Sequence, residues 1–263
     1  MKNKLSLLAF TCLILLLAAC QKTITPPLNN SNPQLVIQGA VSDTTGPYHV
    51  TISKTVNFYA TNNYPPVSGA TVVITDITTN VTDSLTESSP GVYSTHTIIG
   101  TPGNTYQLKV LVEGKTYTAS STMPQPVVLD SVSYEYEEKD MTSTPQVNFQ
   151  DPANTVNYYS ITVKKNGKPL AIFQAENDEL SNGRYIHTKV DGDSVIFRKN
   201  DVAQVFLASI DHGTYTFLSE AAAVAFNNNQ LAAPATPSSN IAGGCVGYFS
   251  AQSVSNKSKV ASR

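Results

Sequence analysis

The chain has 263 residues, of which 41% are hydrophobic and 14% charged, with 17 basic against 19 acidic side chains and a formal net charge of −2. It has no basic stripe, which excludes binding through the phosphate backbone of a nucleic acid. With 13 Tyr, no Trp and abundant Thr, Ser and Asn, the composition favours strands with polar outer faces over helices.

The first element is a leader. Met1-Lys2-Asn3-Lys4 is basic, and an apolar run from Leu5 to Ala19 follows, interrupted only by Ser6 and Thr11. A membrane-spanning helix needs about 20 apolar residues, so this shorter N-terminal run reads as a signal peptide over 1–19. It closes in Leu17-Ala18-Ala19-Cys20, small residues followed by a cysteine. That arrangement reads as a lipobox, with cleavage before Cys20 and a diacylglycerol taken by its thiol, palmitate being expected among the acyl chains. Two or more chains hold a protein stably on a membrane, because each buried CH₂ contributes about 0.8 kcal/mol. Loss of Lys2 and Lys4 leaves the mature chain more acidic. Cys12 leaves with the leader, so Cys245 has no partner for an intramolecular disulfide despite an oxidising compartment. The body must be held by a packed core.

Residues 20–33 read as a lipidated tether, since Thr25-Pro26-Pro27 and Asn29-Asn30-Ser31-Asn32-Pro33 lack apolar periodicity. From Gln34 the period becomes two. Leu35, Ile37, Gly39 and Val41 share a face, and Val50 with Ile52, Val72 with Ile74, Val92-Tyr93, Tyr106 through Val112, and Tyr117 with Ala119 follow. About seven strands separated by turn residues predict an antiparallel β-sandwich, Ig-like or transthyretin-like, over 34–122. Met123-Pro124-Gln125-Pro126 breaks the pattern and marks a domain boundary.

A second β-rich domain is expected over 127–256. Val132, Tyr134 and Tyr136 alternate with polar residues, Val147 and Phe149 make a short strand, and Tyr159, Ile161 and Val163 lead into an Asn166-Gly167 hairpin turn. Leu170 to Phe173 pairs back, Asn177 to Gly183 is a polar loop, and Asp191-Gly192 is a turn. The apolar run Val202 to Ile210 predicts a central strand. Tyr215, Leu218, Ala222, Ala225 and Phe226 fall at helical spacing and predict one helix near 214–227, ended by Asn227-Asn228-Asn229. A last strand lies near Gly247 to Val254, and the polar tail 257–263 is expected to be disordered.

Catalytic, metal and cofactor signatures are lacking. No two of His49, His96, His187 and His212 sit at i, i+2 or i, i+4, and neither a Gly-x-Ser-x-Gly elbow nor a phosphate loop occurs. Cys245 has no basic neighbour in sequence to lower its pKa and reads as a small buried strand residue. Acidic residues gather at Glu135, Glu137, Glu138 and Asp140, at Glu176, Asp178 and Glu179, and at Asp191 and Asp193. Paired carboxylates can serve glycoside hydrolysis and oxygen clusters can hold calcium, but EF-hand spacing is missing and solvated loops are the simpler reading. Phe58-Tyr59 and Asn62-Asn63-Tyr64-Pro65-Pro66 form an aromatic, Asn-rich loop suited to adaptable recognition, so Phe58, Tyr59 and Tyr64 are candidate ligand- or partner-binding residues.

The lipobox, Gly69-Ala70-Thr71-Val72-Val73-Ile74-Thr75-Asp76, Gly91-Val92-Tyr93, and the closing Ser239-Asn240-Ile241-Ala242-Gly243-Gly244-Cys245-Val246-Gly247-Tyr248-Phe249 together resemble the lipoproteins of the family called domain of unknown function 4249. The resemblance covers nearly the whole mature chain. It implies a Bacteroidota-type cell envelope, an outer-membrane location and a partnership with a TonB-dependent transporter, and it supplies no catalytic residues. Which membrane face the body occupies stays open. Three functions follow as alternatives: a non-enzymatic accessory or binding lipoprotein, a carbohydrate-binding or adhesive module, and a hydrolase with a carboxylate site assembled in space.

Overall fold

Residues 32–57, 63–172, 174–190, 192, 194–226 and 236–263 are described by the structure, a computed structural model. Alternation of apolar and polar residues sets the strands of the first half. β1 (Leu35–Ser42) buries Leu35, Ile37 and Val41, and β2 (His49–Lys54) buries Val50 and Ile52. β3 (Thr71–Asp76), β4 (Val81–Ser84), β5 (Thr86–Ser89) and β6 (Val92–Ser94) follow. β7 (Thr105–Val112) buries every second residue from Tyr106 to Val112, and β8 (Lys115–Thr122) buries Tyr117, Ala119 and Ser121.

Past Met123 come β9 (Leu129–Glu137), β10 (Thr142–Gln150), β11 (Tyr158–Lys165), β12 (Lys168–Pro169), β13 (Gln174–Asn177), β14 (Tyr185–Lys189) and β15 (Val202–Ile210). The helix α1 (His212–Phe226) and β16 (Val246–Val260) complete the order. The Asn166-Gly167 turn joins β11 to β12 with φ of 51° and 80°, and Lys165 faces Lys168 across it. Both central residues are left-handed, the geometry a two-residue hairpin demands and Asn-Gly supplies. The protein is mainly β with one helix among the described residues, and no described helix is long and apolar enough to cross a membrane.

Three sheets form. The long one runs β12-β11-β15-β16-β1-β2-β6-β5, with β13 also on β11; β14-β10-β9 and β4-β3-β7-β8 are the others. One core gathers Ile37, Val50 and Ile52 from the long sheet with Val72, Ile74, Tyr106, Leu108 and Val110 from the four-stranded sheet. A second gathers Leu129, Val147 and Phe149 with Ile161, Val205 and Leu207. Burial at this scale is the main favourable term in folding, at roughly 25 cal/mol per Å² of apolar surface.

The long sheet corrects two expectations. The first half is not purely antiparallel, because β1 pairs in parallel with β16, Val36 opposite Val246 through Ser42 opposite Gln252. Local pattern reading pairs neighbours in sequence and cannot foresee a partner from the far end of the chain. Gly247 permits this pairing: a Cβ there would lie 1.8 Å from the Ile37 carbonyl oxygen, and its φ is 125°. The polar tail is also not disordered throughout. β16 continues to Val260, paired with Val202 of β15, and Ala261 is buried with N–H to Asp201 O at 2.8 Å and O from Asn200 N–H at 2.8 Å. Backbone pairing orders this segment, and its Ser, Asn and Lys side chains carry no apolar period to announce it.

Candidate functional site

Period two gives the long sheet two unlike faces. Tyr159, Ile161 and Val163 on β11, Ala203, Val205 and Leu207 on β15, and Phe249 and Ala251 on β16 point into the cores. Their alternates, Ser160 and Thr162, Phe206 and Ala208, Tyr248, Gln252, Val254 and Asn256, line a cleft of about 510 Å³ on the opposite face. Ala40, Ser42 and Thr44 close it on the β1 side, and Thr214 and Leu218 of α1 form a wall.

The helix is fixed there by both chemistry and packing. Asp211 Oδ1 accepts the Thr214 N–H at 2.7 Å, an N-cap. Its Oδ2 accepts a short hydrogen bond from Ser121 Oγ, and that hydroxyl in turn accepts the Ala251 N–H at 2.7 Å. Phe217 and Leu218 are buried with Ala208 and Ile210, and the Phe217 and Tyr248 rings lie 5.2 Å apart. Tyr158 stacks on Tyr215 at 4.9 Å, and Asn177 Nδ2 donates to Tyr215 Oη at 2.9 Å.

The cleft is electrostatically plain. Its described lining consists of Ser, Thr, Gln, Asn and apolar residues, with no Asp, Glu, Lys, Arg or His. Burial pushes the Tyr248 phenol above its ordinary pKa, so it stays neutral. Beside the lining, Lys164 holds its ammonium 5.2 Å from the centre of the Phe206 ring. Gln174 Nε2 donates to Glu176 Oε1 at 2.8 Å and to Lys189 O at 3.0 Å, which fixes that amide at the rim.

The residues singled out in the sequence are dispersed. Cys20, Phe58 and Tyr59 lie outside the described residues, as do Asp191 and Asp193. Tyr64 is 53% exposed, on a segment joined to β2 by Lys54 N–H to Pro65 O at 2.9 Å. The histidines serve four separate places: His49 Nδ1 lies 3.0 Å from Ser94 Oγ, His96 Nε2 2.9 Å from Thr86 Oγ1, His187 Nδ1 2.6 Å from Asn148 Oδ1, and the His212 ring lies 5.2 Å from that of Tyr158, tilted by 51°. Among the described residues, no three His, Cys, Asp or Glu side chains are grouped to hold a metal ion. Cys245 is buried, and burial raises its thiol pKa, which disfavours the reactive thiolate.

Of the acidic residues, Asp178 is only 1% exposed and its Oδ2 has no hydrogen-bond partner among the described residues. Nearby, Asp151 accepts the Tyr159 hydroxyl at 2.5 Å and the Gly183 N–H at 2.8 Å. Burial, then the hydrogen bond and charge of Asp151, push the Tyr159 pKa far up, so it is a fixed donor that braces the ends of β10 and β11. Sequence reading missed the cleft. Val202 to Ile210 read as a central strand, and nothing local shows that Phe206 and Ala208 face away from the main core.

The closing motif has a structural explanation. Asn240 donates its amide to Phe249 O at 2.8 Å and accepts the Phe249 N–H at 2.9 Å, while Ser239 Oγ donates to Gly247 O at 2.8 Å. These side chains imitate a neighbouring strand on the edge of β16 opposite β1, which β15 does not reach until Ser253. The family model for "Domain of unknown function (DUF4249)" matches residues 21–258, a span that includes both the cleft and this motif. No curated protein matches the chain. The chain therefore belongs to the domain of unknown function 4249 family.

Proposed function

We propose that this protein is a non-enzymatic binding lipoprotein of the outer membrane. Acyl chains on Cys20 hold it at the bilayer, and the cleft between α1 and the long sheet is its ligand site. The observation that carries the reading is the cleft itself, with a helix pinned beside an open sheet face by the Asp211–Ser121 linkage. Family membership and the Leu17-Ala18-Ala19-Cys20 lipobox support the envelope setting. The body acts beside a TonB-dependent transporter, and the segment bearing Tyr64, with Phe58 and Tyr59 before it, supplies the contact.

Full-length chain tagged after Arg263, solubilised from outer membranes and captured under mild detergent, is expected to bring down a TonB-dependent transporter, and Tyr64→Ala is expected to reduce that recovery. Capture free of any such transporter overturns the partnership. Cys20→Ala is expected to move the protein out of the membrane fraction on ultracentrifugation; a variant that stays membrane-bound overturns the lipid anchor.

A further inference from the structure

We infer that the occupant of the cleft is an uncharged oligosaccharide; this rests on the cleft being the ligand site, as proposed above. The lining sets the chemistry from both sides. An ionised ligand would lose hydration and meet no counter-charge among the described lining residues themselves; the Lys164 ammonium beside them is already engaged, 5.2 Å from the centre of the Phe206 ring. A wholly apolar ligand would leave a rim of hydroxyls and amides without partners. A sugar satisfies both demands, because its CH-rich face lies on an aromatic ring while its hydroxyls reach outward.

The sheet register provides that arrangement. Thr162 on β11 stands opposite Phe206 on β15, and Phe206 stands opposite Asn256 on β16. An aromatic ring is thus flanked by a hydroxyl on one side and an amide on the other. The two flanks are two strand spacings apart, roughly 10 Å, a width that one pyranose on Phe206 and its hydroxyls fill. Thr162 and Asn256 are both exposed. The next row repeats the alternation, with Ser160 opposite Ala208 and Ala208 opposite Val254. A peptide added as a strand is disfavoured here, since β11 and β15 already have strands on both sides and offer no backbone edge.

The test is calorimetric titration of the full-length chain in a zwitterionic detergent without a sugar headgroup. The probes are uncharged hexasaccharides of glucose, mannose, xylose and galactose, an oligogalacturonate as the anionic sugar, and an uncharged hexapeptide. At least one neutral sugar is expected to bind, with affinity within about twofold between about 50 mM and 500 mM salt. Phe206→Ala is expected to weaken it by about tenfold or more, and the surface variants Thr162→Val and Asn256→Ala by several-fold. The surface variants keep the test interpretable if Phe206→Ala misfolds. Exchange-rate mapping of backbone amides is expected to show protection confined to β11, β15 and β16. Binding of only the oligogalacturonate or the peptide, weakened by the same variants, overturns the sugar assignment and leaves the cleft as the site. A neutral sugar whose binding ignores all three variants overturns the placement. No binding by any probe overturns the inference, while transporter capture separately tests the accessory role.

Discussion

Asn240 shows how a single side chain substitutes for secondary structure. Its amide closes two hydrogen bonds on Phe249, and replacement by Ala leaves a backbone N–H and C=O in a half-buried setting without those partners. We expect Asn240→Ala to lower unfolding free energy by about 1–3 kcal/mol, read from the urea midpoint. Asp201 gives a pH prediction. The Arg198 N–H, the Asn166 amide and the Lys165 ammonium hold its carboxyl down at about 2, from an ordinary 3.8. Because the folded value lies below the unfolded one, the stabilisation is complete above the unfolded value and is lost as pH falls through the folded one. The site is partly open to solvent, so the contribution is on the order of 1 kcal/mol. The stability gap between wild type and Asp201→Asn should therefore hold from neutral pH down to about pH 5 and shrink between about pH 4 and 2. A gap that stays constant down to the acid limit would contradict the assigned cause.

At the scale of elements, β16 determines most of the architecture. On one side it takes β1 in parallel as far as Gln252, and then the Asp43 carboxylate accepts the Val254 N–H at 2.8 Å. On its other side Ser239 and Asn240 serve Gly247 and Phe249, Ser121 serves Ala251, and β15 takes over from Ser253. No stretch of this strand needs an unpaired buried edge, which would be costly. The Ser121 link also holds α1, through Asp211. Asp211→Ala removes the helix N-cap and leaves Ser121 short of an acceptor, so it should destabilise by about 1–3 kcal/mol and speed amide exchange through the first turn of α1. Exchange unchanged in that turn would show that packing of Phe217 and Leu218 alone fixes the helix.

For the whole molecule, the shared strand predicts coupled unfolding. β16 lends Phe249 and Ala251 to the first core and pairs with β15 of the second. Gly247→Ala should therefore weaken both halves: its Cβ would strike the Ile37 carbonyl, and its φ disfavours any side chain. We expect a loss of about 3 kcal/mol or more, with amides of β1 and β15 losing protection together in native-state exchange. Loss confined to β1 would show that the halves open separately.

Much of this was legible before any coordinates. Periodicity located β1, β7 and α1, an apolar run located β15, Asn166-Gly167 identified its hairpin, and the closing Asn-Ile-x-Gly-Gly motif together with the earlier sequence patterns pointed to the family that the match over 21–258 shows. These signals are local, because side-chain alternation and turn chemistry are written within a few residues. The cleft was not legible, since Thr162, Phe206 and Asn256 become neighbours only through the register of three strands. The ordered tail was hidden for the same reason, because its order comes from pairing with β15 and not from its own side chains. The sequence by itself determined a β-rich chain, several of its turns and the helix α1, all of which depend on nearby residues. Only the tertiary structure decided which strand closes the sheet, which face of it stays open and which side chains meet there, because those depend on contacts between residues far apart in the chain.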